Sequence, residues 1–247
     1  MLSIVPDDME DSAYRALARR QSVDGIVIHG PRADDPRIAL LKEIGLPFVV
    51  HGRASDAPAD FSWVDVNNRR AFARATELLC DLGHRRIALI NGLEDMDFAR
   101  RRREGVEMTL RARGLEVNPD WMSSDEMTEH YGHASAARML AGDPAPTAFL
   151  VSSMIPAIGV RRAVEDAGLK LGRDISVITH DDALSYLGNG GDVPIFTATR
   201  SSVREAGRIA GTLLLEMIAD PGGPPLQTLL EAELMLGQST GPVPRPE

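Results

Sequence analysis

The chain contains a single cysteine, Cys80, so no intramolecular disulfide framework is open to it, and the count fits a reducing compartment. Cys80 falls among apolar residues of a helical pattern, where a buried inert thiol is expected rather than a nucleophile. A basic excess is also lacking: the formal net charge is -9. A broad nucleic-acid-gripping face needs concentrated basic surface, because phosphate neutralisation dominates that affinity. Only a local basic patch stays open. The opening MLSIVPDDMEDS turns acidic at once, with neither a basic n-region nor an apolar h-region, so no signal peptide is read there. No apolar run approaches a membrane span. These absences place the chain, as an expectation, in the cytoplasm.

Catalytic signatures are missing as well. No GxGxxG follows a strand, and there is no P-loop, GxSxG elbow or HExxH. No cofactor is implied and an enzyme is not expected. His130 and His133 sit at a helical spacing, but without a third ligand nearby they read as a solvated helix start, so no metal is assigned to them.

What is present is an ordinary globular composition, 43% hydrophobic and 26% charged over 247 residues, enough for one large domain or two lobes. Short apolar runs predict strands at Leu2 to Val5, Gly25 to His29, Pro47 to His51, Arg86 to Ile90, Thr147 to Val151 and Ile175 to His180. Most are continuous rather than alternating, as in parallel strands covered on both faces. Helices are predicted at Met9 to Gln21, Pro36 to Ile44, Asn67 to Leu82, Phe98 to Arg113, Glu129 to Leu140, Pro156 to Ala167 and Val203 to Ala219. Glycines with basic neighbours punctuate several ends, as in DLGHRR and RARGLE. Strand and helix in alternation give a doubly wound α/β fold.

Three extended segments, Pro58 to Asn68, Val193 to Val203 and Gly222 to Leu230, are read as crossings between two lobes; ordinary surface loops in one sheet are the plainer alternative. The expected division is 1–62 with 200–222 for the N-terminal lobe and 63–199 with 223–239 for the C-terminal lobe. A disordered proline-rich tail is expected at 240–247. Ligands of open α/β sheets lie beyond the carboxyl ends of the strands. That rule picks out His29, Gly52, Arg53, Asn91, Ser152, Ser153, His180 and Asp181.

Several blocks, in order, carry a family likeness: VDGIVIHGP, GLPFVVHGR, WVDVNNRRAFARATELLCDLGHRRIALING, RRRREGVEMTLRARGL, PTAFLVSSMIPAIGVRRAVEDAGLKLGRDISVITHDD and FTATRSSVREAGRIAGTLLLEMI. Six collinear blocks at compatible spacing are similar to the effector-binding core of LacI/GalR transcription regulators. The resemblance implies two doubly wound Rossmann-like lobes joined by three crossings, a periplasmic-binding-protein-like type I fold. It also implies a sugar-like effector, a homodimer, and control of DNA binding by lobe rotation in the full-length protein. The chain opens where the family has its second strand. The helix-turn-helix headpiece and the first βα unit of the N-terminal lobe are therefore expected to be absent, and DNA to be reached only through that headpiece.

The resemblance places the effector-gripping arginine at Arg102, three residues before Gly105, and the ligand-binding acid at Asp181. Asp182 is left the loop-capping role. His180 stands where relatives carry an aromatic, making the pocket more polar. Ser153 replaces a usual Asn and gives up its two-point amide contact. From the N-terminal lobe, His29 and Arg53 are expected to face the effector, with a hydrogen-bonded strand-end histidine as the other reading of His29. Arg53 has few structural reasons to be where it is. Phe98 and Met127, then Trp63, are the apolar candidates for a sugar's CH face, with core packing the alternative for each; Trp121 is left as surface or core. A mono- or disaccharide is expected, of α-glucoside type if the HDDALSYL and FTATRSSV segments are read by subgroup. A solute-binding protein of a sugar transport system is the alternative function.

Overall fold

The computed structural model describes residues 5–6 and 9–244. The chain divides into two compact units, one of Met1–Asp65 with Arg204–Leu230 and one of Val66–Val203 with Glu231–Glu247. It passes from one to the other three times.

The first unit holds a sheet of four strands in the order β1 (Ile26–His29), β2 (Phe48–His51), β3 (Ser62–Val66) and β9 (Gln227–Leu230). The first three are parallel. Alternation along the strands sends side chains to opposite faces. Ile28, Phe48 and Val50 pack with α1 (Glu10–Arg20) and α2 (Pro36–Ile44), whereas Val49 and Val64 pack with Ala206 and Ala210 of α7 (Val203–Ala219). Helix α2 starts where it does for local reasons. Asp35 accepts a hydrogen bond from the Arg37 amide, Pro36 occupies the first turn, and Gly45 closes the helix in left-handed backbone.

The second unit carries a six-stranded sheet in the order β10 (Glu233–Met235), β8 (Thr197–Arg200), β7 (Ser176–Asp181), β6 (Ala148–Val151), β4 (Ile87–Asn91) and β5 (Met122–Ser124). Only β10 runs antiparallel to its neighbour. Its two faces are both covered, which is why its central strands read as continuous apolar runs. Ile87, Leu89, Ala148, Leu150 and Ile178 meet α3 (Asn68–Asp81) and α4 (Asp97–Ala112). Ala88, Ile90, Phe149, Val151 and Val177 meet α5 (Glu129–Leu140) and α6 (Met154–Asp166).

The predicted strand at Leu2 to Val5 lies outside the described residues except for Val5. Elsewhere the structure differs from the sequence reading in three respects. The three extended segments contain strands β3, β8 and β9, and β3 and β9 belong whole or nearly so to the first unit, so the boundaries fall at 65, 203 and 230. Strands β5 and β10 were not expected. The tail is packed at least to Val243: the Gly241 carbonyl accepts from His84 Nε2 at 3.1 Å, and the Val243 amide donates to the Leu82 carbonyl at 2.9 Å.

Candidate functional site

The alternation that buries Ile87 and Leu89, Ala148 and Leu150, and Ile178 against α3 and α4 continues to the carboxyl ends of those strands. There it places Asn91, Ser152 and His180 on the same face. Apolar residues give way to a buried polar row.

Arg102 of α4 lies against this row. It is 6% exposed. Its Nε donates to Asn68 Oδ1 at 2.8 Å, and its Nη1 donates to the Ser152 carbonyl. The guanidinium carbon sits 4.9 Å from the Phe98 ring centroid and 5.2 Å from that of Phe72. A desolvated cation over aromatic faces gains about 2 kcal/mol. The acceptor is itself fixed, since Asn68 Nδ2 donates to the Val66 carbonyl at 3.0 Å. Neighbouring Arg100, Arg101 and Arg103 pair with Asp97, Glu104, Glu94 and Glu107. Of the four arginines, Arg102 is the fully buried one.

Phe98 and Met127 come together around Gly92, where a Cβ would lie 3.3 Å from Phe98 Cζ and 3.3 Å from the Met127 sulfur. Both side chains are half-buried. Ser153 caps α6, its Oγ accepting from the Ile155 amide at 3.3 Å. Two buried oxygens, Asn91 Oδ1 and Ser152 Oγ, have no hydrogen-bond partner among the described residues. Such groups cost stability unless a bound molecule satisfies them.

Asp181 ends β7 and is 6% exposed. Its Oδ1 accepts from the Ala183 amide at 2.8 Å, and Arg200 Nε stands 3.8 Å from Oδ2. Asp181 thus caps the loop that follows it, and Asp182 approaches His180 Nε2 at 3.2 Å. His180 is 1% exposed and held by Thr199 Oγ1 at 2.9 Å and Ser201 Oγ at 3.1 Å. Burial, then the Arg102 charge, pushes its pKa down.

In the first unit, Arg53 does have structural partners: Nε donates to Asp65 Oδ2 at 2.7 Å, and the guanidinium lies 4.9 Å from the Trp63 ring. Trp63 packs against the core around Phe48 and Phe61, which answers its role there. His29 is exposed, and its Nδ1 faces Nδ1 of His51 at 2.8 Å. Burial and Arg37 lower its pKa. Trp121 packs at the edge of the α5/α6 core. His133 pairs with Asp166 at 2.9 Å, and Cys80 is buried with its thiol pKa pushed up by burial.

Asn68, Phe72 and His51 were not singled out from the sequence. A signal for the first two existed: they lie four residues apart on the helix face that α4 must meet.

The class follows from this architecture and from the comparisons together. The Periplasmic binding protein-like domain family matches residues 76–240. Among curated proteins, the HTH-type transcriptional regulator AglR of Rhizobium meliloti (strain 1021) is 45% identical over 240 residues, covering 97% of this chain and 67% of the relative. The HTH-type transcriptional regulator CelR of Thermobifida fusca is 30% identical over 220 residues, covering 89% and 64%. Among solved structures, a LacI-family regulatory protein from Chloroflexus aggregans superposes with a TM-score of 0.84 at 30% identity, covering 97% of this chain and 85% of that one. A CelR–cellobiose complex does so with a TM-score of 0.85 at 29% identity, covering 95% and 71%. The chain belongs to the LacI family of transcriptional regulators. It spans about two-thirds of the length of these curated relatives. The family is one of regulators rather than enzymes, and no helix among the described residues is long and apolar enough to cross a membrane.

Proposed function

We propose that this chain is the effector-sensing and dimerisation core of a LacI-type regulator, responding to a sugar-like small molecule. The carrying observation is Arg102: a buried guanidinium held between Phe72 and Phe98 and anchored by Asn68, next to two unsatisfied oxygens at the ends of β4 and β6. Adjacent sugar hydroxyls suit such a fork and a carboxylate. Arg102 and Asp181 grip them, Ser153 contributes one further bond, and Phe98 and Met127 offer apolar surface to the sugar's CH face. On the first unit, Arg53 and His29 are the proposed effector contacts. A disaccharide is the favoured class, since a CelR structure similar to this chain is a cellobiose complex. In the full-length regulator, effector occupancy would control DNA binding through a helix-turn-helix headpiece. The transport reading loses to this one because the relatives described above are regulators.

A homodimer is proposed through the outer face of α6. Ile155 and Ile158 are exposed there, and Tyr186 and Val193 of the loop between β7 and β8 are 77% and 57% exposed.

The test is a thermal-shift screen with a sugar and polyol panel that includes cellobiose, repeated on Asp181→Asn, Ser153→Ala and Arg102→Lys. A stabilising sugar whose effect is lost in Asp181→Asn and Arg102→Lys supports the site. A hit that survives both substitutions overturns it.

A further inference from the structure

Two strand ends in the first unit repeat one motif. Strand β1 finishes Ile28-His29-Gly30 and β2 finishes Val50-His51-Gly52, and His29 and His51 are register partners across the parallel pair. Each histidine is followed by a glycine in left-handed backbone, with φ of +56° at Gly30 and +118° at Gly52. At Gly52 a Cβ would stand 2.6 Å from Pro31 Cδ, so the close approach of that loop needs glycine. Both chains turn directly after the histidines, leaving the two imidazoles as the last side chains of neighbouring strands. Their Nδ1 atoms share a hydrogen bond at 2.8 Å, one ring donating and the other accepting, and the ring planes cross at 84°. His29 is exposed and His51 half-buried, so solvent ions reach the pair. Arg37 donates to the carbonyls of His29 and Gly30. Its charge is balanced by Asp35 at 2.7 Å and Glu10 at 3.4 Å.

We infer that His29 and His51 form a two-point site for a divalent transition-metal ion, Cu²⁺ or Ni²⁺, which displaces the proton shared between the two Nδ1 atoms into solvent and is held through both, each ring then carrying its proton on Nε2. Imidazole nitrogens bind such ions at about 2.0–2.1 Å. Two of them 2.8 Å apart subtend roughly 85–90° at the ion. That is the angle between adjacent ligands in square-planar or octahedral coordination. Tetrahedral zinc would hold the nitrogens about 3.3 Å apart. Copper(II) and nickel(II) take the tetragonal geometry with nitrogen and oxygen ligands, and copper(II) leads the affinity order. Water or an oxygen of a bound ligand would complete the coordination. The inference does not depend on the identity of the effector.

The experiment uses the tag-free full chain titrated with CuCl₂ and with NiCl₂ by calorimetry, with electron paramagnetic resonance of the copper form. The expected result is saturable uptake of one Cu²⁺ per chain, a spectrum carrying coupling from two imidazole nitrogens, and a metal-dependent rise in Tm. His29→Gln and His51→Gln should each weaken uptake by roughly tenfold or more, while His133→Gln leaves it unchanged. Both substitutions replace solvent-reached groups, and an unshifted metal-free Tm checks that they fold. No saturable uptake, or uptake that persists in the two glutamine variants and falls with His133→Gln, overturns the site.

Discussion

Asn68 Oδ1 accepts the Nε proton of Arg102 at 2.8 Å, and both side chains are buried. The bond joins the first turn of α3 to the middle of α4 and fixes the plane of the guanidinium between two aromatic rings. A buried charge whose acceptor is removed cannot turn to water for another. Asn68→Ala is therefore expected to cost about 1–3 kcal/mol in urea denaturation and to weaken binding of any stabilising sugar. Asn68→Asp keeps the acceptor and should recover most of both losses. An alanine variant as stable and as sugar-responsive as the parent would remove Asn68 from the positioning role.

The helix pair α5/α6 meets through glycine. A Cβ on Gly132 would run into the Pro156 carbonyl, and one on Gly159 into the Glu129 carbonyl. Backbone cannot step aside as a side chain can. Ala is the better helix former by about 1 kcal/mol, so the sign of Gly159→Ala decides which effect wins. Overpacking of roughly 1–3 kcal/mol should dominate, lowering the urea midpoint; a raised midpoint would show that the helices separate freely.

Much of this fold was legible in the sequence, for identifiable reasons. Helices α2, α5 and α7 begin and end where periodicity and caps put them. The apolar runs of β2, β4, β6 and β7 announced strands buried on both faces, and that of β1 belongs to a strand at the sheet's edge. Strand β8 did not, because Thr197 and Thr199 look like surface residues. They are buried all the same, with Thr197 Oγ1 meeting Thr240 Oγ1 at 2.7 Å and Thr199 meeting His180. The short strands Met122–Ser124 and Glu233–Met235 are too brief to show a period. At the site, Arg102 was legible through the family resemblance, yet which residues hold it was not. Helical spacing puts Asn68 on the face that α4 meets, and the strand-end rule reaches Ser152, but only long-range packing brings either of them to Arg102. Arg53 was misjudged for the same reason: Asp65 sits twelve residues away, on the next strand.

Stability should depend on pH through buried histidines. His84 is 1% exposed, between Thr147 Oγ1 and Ser176 Oγ, each at 2.9 Å, and burial pushes its pKa down. His180 shifts the same way. A group with a lowered folded pKa takes up protons more readily when unfolded. Its contribution is therefore complete above the unfolded histidine value of about 6.5 and declines as pH falls through it. Urea midpoints should be level from pH 8 to 7 and drop between pH 6.5 and 5, above the range where carboxylates protonate. His84→Gln should be less stable at pH 8 yet show a shallower fall; an equal slope would exclude His84 as the source.

The apolar face of α6 makes a simple demand on assembly. A charge placed where Ile158 stands is solvated in a monomer and buried in the proposed dimer. Ile158→Glu should shift the chain toward monomer in sedimentation equilibrium without lowering its Tm at low concentration. An unchanged dimer would move the interface elsewhere.

Arg53 allows structure and binding to be separated. Asp65 is 4% exposed and pairs with Arg53 Nε at 2.7 Å, while the guanidinium also covers Trp63. Asp65 is buried and Arg53 half-buried, so removing either member costs about 1–3 kcal/mol, because the other charge loses this partner. Arg53→Met should therefore destabilise the first unit, and Asp65→Asn should do likewise. The double variant should lose less than the sum of the two, giving a coupling of about 1–3 kcal/mol in a double-mutant cycle. If Arg53 also touches the effector, sugar binding fails in Arg53→Met and in the double variant, but survives Asp65→Asn. Loss that follows stability alone, equal in all three, would reduce Arg53 to a structural partner of Asp65.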